Sequence, residues 1–230
     1  MSAEGVLLSV DWDAYSGCAE FVFDAPIWGT PDREHDRLAA WRERAGRRGG
    51  AEVGWEVLEP DFPLYPGWQE LLAYAGRPAF AAWSHAHARA WLERFPGREV
   101  LNIDSHHDLA TRRGNPGAWR PGNWAGLALA GGLVDRYTVR YPEWHRELAV
   151  AEGHDLERTW TELCEAGLPP GLLERVTLER GSALPPAAGV EALLLVQSPA
   201  WTSPAHDPAF FSLLERLGAQ ELSLPLLRPA

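Results

Sequence analysis

The chain has 230 residues, is 46% hydrophobic and carries a formal charge of −11 at pH 7. That length and apolar content suit one globular domain over residues 1–230 and exclude a disordered polymer. The negative balance excludes a nucleic-acid partner, whose phosphates need a basic surface.

In chain order, the first apolar run, Val6–Asp11, reads as a strand and ends in Asp11-Trp12-Asp13. Thr30-Pro31 offers a cap and a first-turn proline for a helix over 32–45 that Gly46 ends. Residues 66–76 repeat that punctuation. A second strand, 79–84, stops at His85 and leads into a helix-like stretch, 86–94, that carries His87. A third, 99–104, opens onto Ser105-His106-His107-Asp108. A loop rich in Arg, Gly and Pro follows over 111–122, then a helix over 123–130. Strands at 136–140, 175–178 and 191–197 come next. One helix opens at Asp155 and stops at Gly167; another opens at Asp207-Pro208 and stops at Gly218. Strands interleaved with helices specify an α/β fold with a mostly parallel sheet covered on both faces. Ligands of such sheets bind beyond the carboxyl ends of the strands. Both acidic clusters and His85 fall there.

Neither a membrane-length apolar run nor an export-type N-terminus is found, so a cytoplasmic protein with no membrane partner is expected. Two cysteines, Cys18 and Cys164, are too few for a disulfide framework.

The chemistry concentrates at Asp104, His106 and Asp108. Alternate residues on an extended segment point the same way, and carboxylate oxygens with imidazole nitrogens suit a divalent first-row metal. Asp11 and Asp13 supply further negative charge, enough for two ions. His85 completes a ligand set, with His87 as the competing histidine. His107 is expected to point away, and His35, His145, His154 and His206 to be solvated. Arg112, Arg113 and Arg120 give the 111–122 loop the character of a lid or an anion clamp, or of a merely solvated segment. Of twelve tryptophans, Trp28, Trp68, Trp119, Trp124 and Trp201 sit in polar, Pro/Gly-rich contexts; they line a peptide groove or fill the core and loop rims.

Asp104-Ser105-His106-His107-Asp108, Ser9-Val10-Asp11-Trp12-Asp13 and Ser84-His85 resemble the metal motifs of the ureohydrolase superfamily, which includes arginases, agmatinases and deacetylase-like amidohydrolases. Gly122-Asn123-Trp124, Tyr141-Pro142-Glu143-Trp144 and Ser198-Pro199-Ala200-Trp201 are similar to the peptide arginase branch, which converts arginine to ornithine within ribosomally made peptides. The resemblance implies a three-layer α/β/α fold and two Mn²⁺ ions. Asp104 and Asp11 would bridge them, with His85 and Asp108 on one ion and His106 and Asp13 on the other. It further implies urea release from an arginine-bearing peptide or precursor peptide, Asn123, Trp124 and Arg113 at the substrate, and His107 or His87 as proton donor.

Two departures stand out. The Asp-x-Asp motif precedes the Asp-x-His-x-Asp motif, the reverse of arginases, which circularly reordered strands accommodate. No acid falls near 196–198, where the guanidinium-gripping glutamate of arginases would lie; Glu20, Asp24, Glu56, Glu59 and Asp61 are the alternatives. Competing readings are another metal-dependent C–N hydrolysis, of a small guanidino compound or an amide, and a non-catalytic peptide-binding protein.

Overall fold

The computed structural model describes residues 5–17, 33–49, 54–111, 117–166 and 168–229. Seven strands form one sheet: β1 (Val6–Asp11), β2 (Ala79–Ala82), β3 (Arg98–Ile103), β4 (Val134–Tyr141), β5 (Val176–Arg180), β6 (Val190–Val196) and β7 (Gln220–Glu221). Their order is β5-β4-β3-β1-β6-β2-β7, and every pairing is parallel. The apolar run Leu193-Leu194-Leu195-Val196 is buried throughout, as a strand with helices on both faces must be. β7 is two exposed polar residues on the edge, too short to leave a pattern in the sequence.

Between the strands run α1 (Asp13–Ser16), α2 (Glu34–Gly49), α3 (Ala88–Leu92), α4 (Trp124–Ala130), α5 (Leu156–Ala166), α6 (Pro170–Leu173) and α7 (Asp207–Leu217). Side chains alternate across each strand. One set, including Leu7, Val100, Val139 and Leu194, packs on Trp91, Trp124, Leu129 and Leu163 of α3, α4 and α5. The other set, including Leu8, Val10, Leu101 and Leu195, packs on Leu71 and Tyr74 of a 3-10 helix and on Phe210 and Leu213 of α7. The result is a three-layer α/β/α architecture. A smaller cluster joins Trp41 of α2 to Trp55, Leu58 and Phe62.

Two boundaries differ from the sequence expectation. α2 passes through Gly46 to Gly49. A glycine inside a helix costs only about 1 kcal/mol relative to alanine. Against that, Trp41 and Ala45 are buried, Arg47 pairs with Glu43 one turn back, and Arg48 Nε reaches Asp61 Oδ2 at 2.7 Å. The 66–76 segment forms a 3-10 helix over Trp68–Tyr74, entered through Gly67 at φ 99°. The Thr30-Pro31 cap and Gly167 lie outside the described residues. Gly218 does stop α7, in the left-handed conformation that glycine adopts without penalty.

Register places the chemistry. Ser9 and Val10 of β1 pair with Asn102 and Ile103 of β3, so the next residues on each, Asp11 and Asp104, emerge side by side. On the other flank Asp11 is level with Val196 of β6, and Val196 with Ala82 of β2. The carboxyl ends of β1, β3, β6 and β2 thus share one edge of the sheet. Among the described residues no helix is long and apolar enough to cross a membrane.

Candidate metal centre

Two groups of ligand atoms meet at that edge. Asp11, His85 and Asp104 form one; Asp13, Asp104 and His106 form the other. His85 Nδ1 lies 3.1 Å from Asp11 Oδ2, 3.4 Å from Asp108 Oδ2 and 3.7 Å from Asp104 Oδ2. His106 Nδ1 lies 3.0 Å from Asp13 Oδ2 and 3.6 Å from Asp104 Oδ1. Asp104 therefore presents one oxygen to each group. The Asp-x-Asp and Asp-x-His-x-Asp segments, far apart in the chain, meet because β1 and β3 are neighbours in the sheet.

The donor set fits divalent cations. His85 is fully buried, yet its Nδ1 makes no well-directed hydrogen bond to the carboxylates around it; the same is true of Asp13 Oδ2 beside His106. Buried polar atoms are otherwise almost always bonded. Here both unbonded atoms point into clusters of carboxylate and imidazole, where a cation would satisfy them.

The remaining bonds orient these groups. Ser9 Oγ holds His85 Nε2 at 2.9 Å, which leaves Nδ1 facing the carboxylates. Asn102 Nδ2 donates to Asp104 Oδ2 at 2.8 Å and lies 2.9 Å from the Tyr137 hydroxyl. Trp124 Nε1 donates to Asp108 Oδ2 at 2.6 Å, while its ring stacks on His85 at 4.7 Å. Ser105 N donates to Asp13 Oδ1 at 3.1 Å, and the Ser198 hydroxyl donates to Asp11 Oδ2. Asp108 and Ser198 have φ of 57° and 47°. Left-handed backbone at non-glycine residues stores strain, and such strain collects where a site must hold a fixed geometry.

Charge is unbalanced without cations. Burial pushes the Asp11 carboxyl up, and the Asp13 charge adds to it. Burial and then Asp104 raise Asp13; burial and then Asp104 raise Asp108 well above the carboxylate range. Burial alone would lower His106, but the Asp104 and Asp13 carboxylates outweigh it and hold the imidazole well above its usual value. Such crowding favours the protonated carboxyl, and a bound divalent ion displaces such protons.

The structure brings together Asp11, Asp13, His85, Asp104, His106 and Asp108. His87 is half-buried beside Trp83, their rings 5.9 Å apart, and belongs to neither ligand group. His107 is turned aside as expected. Its Nδ1 accepts from Leu109 N at 2.9 Å, and its Nε2 lies 4.0 Å from Glu152 Oε2. Asn123 and Trp124 are buried, with hydrogen bonds directed within the chain: Asn123 caps Arg120 N at 2.8 Å. Arg113, Arg112, Trp28, Glu20, Asp24 and Cys18 lie outside the described residues. Glu56, Glu59 and Asp61 are exposed on a separate segment.

His145 and His206 are not solvated. His206 Nε2 bonds Phe62 O at 2.8 Å. His145 is buried between Glu152 O, 2.5 Å from Nδ1, and Ser105 Oγ, 3.2 Å from Nε2; burial holds it down at about 4. Sequence reading gave Ser9 no role of its own and passed over Asn102, Tyr137 and Glu152. Two of these carried a signal, since Ser9 and Asn102 each sit two residues before a ligand aspartate on the same strand face.

No family model, curated protein or solved structure matches this chain.

Proposed function

We propose that the protein is a metal-dependent hydrolase acting on C–N bonds of the guanidine type, with two Mn²⁺ ions, and that it converts peptidyl-arginine to ornithine with release of urea. One observation carries the two-ion part of this reading, while the guanidine substrate rests on the motif resemblance: a single buried carboxylate, Asp104, offers its two oxygens to two separate histidine-and-aspartate groups. His85, Asp11 and Asp108 would hold one ion and His106 and Asp13 the other. Oxygen-dominated ligands with no thiolate among them favour Mn²⁺ over Zn²⁺. Such a pair of ions, when bound, supplies a water of lowered pKa at neutral pH.

The chain's own groups do the rest. Asn102, Ser105, Ser198 and Trp124 fix the carboxylates, so that little reorganisation is needed at the moment of reaction. Trp201 packs beside His106, their ring centroids 4.8 Å apart. The test is elemental analysis of the purified protein, joined to a urea assay on an acetylated, amidated arginine peptide. Two manganese per chain and urea release lost in Asp104→Asn are expected. Undiminished urea release by Asp104→Asn would refute the proposal.

A further inference from the structure

Beside the metal centre lies a cavity of about 620 Å³, within the range of about 300–1,000 Å³ usual for ligand sites. Its inner wall includes Ala14 and Ile103, the immediate chain neighbours of Asp13 and Asp104. Its outer wall is built on Tyr65 and Trp144, whose rings stack 4.7 Å apart and 2° from parallel. Trp144 is pinned to the ligand-bearing segment by its Nε1, which donates to Ala14 O at 2.9 Å, and the next residue, His145, contacts Ser105. The cavity and the metal centre are therefore two sides of the same short segments.

The lining has a sign. Glu70, Glu143 and Glu147 contribute carboxylates against one cation, Arg146, and Arg146 Nε is committed to Glu143 Oε2 at 3.4 Å. Neither Glu70 nor Glu147 forms an ion pair among the described residues. An aromatic pair with two uncompensated carboxylates attracts a flexible organic cation through the ring faces and by ion pairing. With three carboxylates against one guanidinium that is itself paired, the lining disfavours an anion.

We propose that this cavity is a subsite for a cationic side chain, lysine or arginine, flanking the reacting residue of a peptide substrate. The proposal deepens the hydrolase reading by naming the substrate as a basic peptide. It rests on that reading only for the peptide's reacting residue.

The test is binding of dye-labelled acetyl-Lys-Gly-Arg-Gly-Lys-amide and of the same peptide with both lysines acetylated, followed by fluorescence anisotropy on the manganese-loaded full chain at low ionic strength. The lysine peptide is expected to bind about five- to tenfold more tightly, from a cation–π contact plus exposed ion pairs. In Glu70→Gln/Glu147→Gln that advantage should fall to within about twofold. Glu157→Gln/Glu165→Gln removes the same charge from exposed positions on α5 and should leave the advantage intact. Equal binding of the two peptides by the wild type overturns the subsite. So does an advantage that survives in the first variant or vanishes equally in the second. Urea release is read in parallel: if no urea forms while the charge preference behaves as described, the subsite stands and the hydrolase reading falls.

Discussion

Replacing Trp124 with phenylalanine separates the two tasks of that side chain. The phenyl ring keeps the stack on His85 and the edge contact with Tyr137, whose centroid lies 5.9 Å away, but loses the donor to Asp108. A hydrogen bond to a charged group contributes about 1.5–3 kcal/mol, and the space left by the smaller ring adds roughly 1 kcal/mol. The sum, roughly 2.5–4 kcal/mol, corresponds to a fall in Tm of about 5–16 °C for a chain of this size. The more diagnostic effect is on metal binding. Removing a group that orients a ligand costs about 10–100-fold in affinity, so manganese titration against a competing chelator should show a loss in that range. A folded Trp124→Phe protein that binds manganese within about twofold of the wild type would refute the idea that Asp108 is held for a metal.

Chelation should destabilise the protein. Asp11, Asp13 and Asp108 have carboxyls raised above their unfolded values, so their stabilising effect is present in acid and lost as the pH rises. At neutral pH a bound cation offsets that loss, by about 4 kcal/mol for an ion at 1,000 times its Kd; differential scanning fluorimetry with and without manganese should show a rise of roughly 8–16 °C, and no shift would contradict the site. His145 runs the other way. Its folded value of about 4 lies below the unfolded 6.5, so stability falls as the pH drops from about 6.5 towards 4, by roughly 2 kcal/mol at pH 5. Relative to wild type, His145→Gln should flatten that part of the pH profile, and parallel profiles would dismiss the mechanism. Finally, buried Arg228 pairs with Asp207 and donates to Pro199 O at 3.0 Å and Thr202 O at 2.8 Å, holding the loop that carries Ser198. Arg228→Ala leaves Asp207 buried and unpaired, and urea denaturation should register a loss of about 3–5 kcal/mol; a loss under about 1 kcal/mol would count against the latch.

The layered sheet was readable because its signals are local. Alternating and continuous apolar runs gave six strands within a few residues of their ends, and β7 escaped because two polar edge residues have no period. Asp104, His106 and Asp108 were legible for the same reason: three potential ligands in strict alternation after a buried run. What the sequence could not display was which distant residues share a neighbourhood. His145 looked solvated in Pro-Glu-Trp-His-Arg, and only tertiary packing buries it on Ser105. His85 and His87 were equivalent on spacing alone; the hydrogen bond from Ser9, 76 residues away, singles out His85. Trp124, flanked by Gly, Asn and Pro, read equally as a groove residue or a core filler. Its indole lies under His85 with no solvent exposure.

The position of β6 between β1 and β2 bears on how the protein matures. All six ligand side chains are translated by Asp108, yet the strand that spaces two of their carriers is not made until Val190–Val196. A nascent chain emerging from the ribosome with its first half complete holds every donor atom and can pair β1 with β3, but lacks the strand that sets β2, and His85 after it, at their distance from Asp11. Such non-local parallel pairing is slow to form. On the proposed reading, a chain truncated before β6 keeps the β1–β3 pair but lacks the strand that spaces His85 from it, and should bind a metal ion less tightly than the full chain.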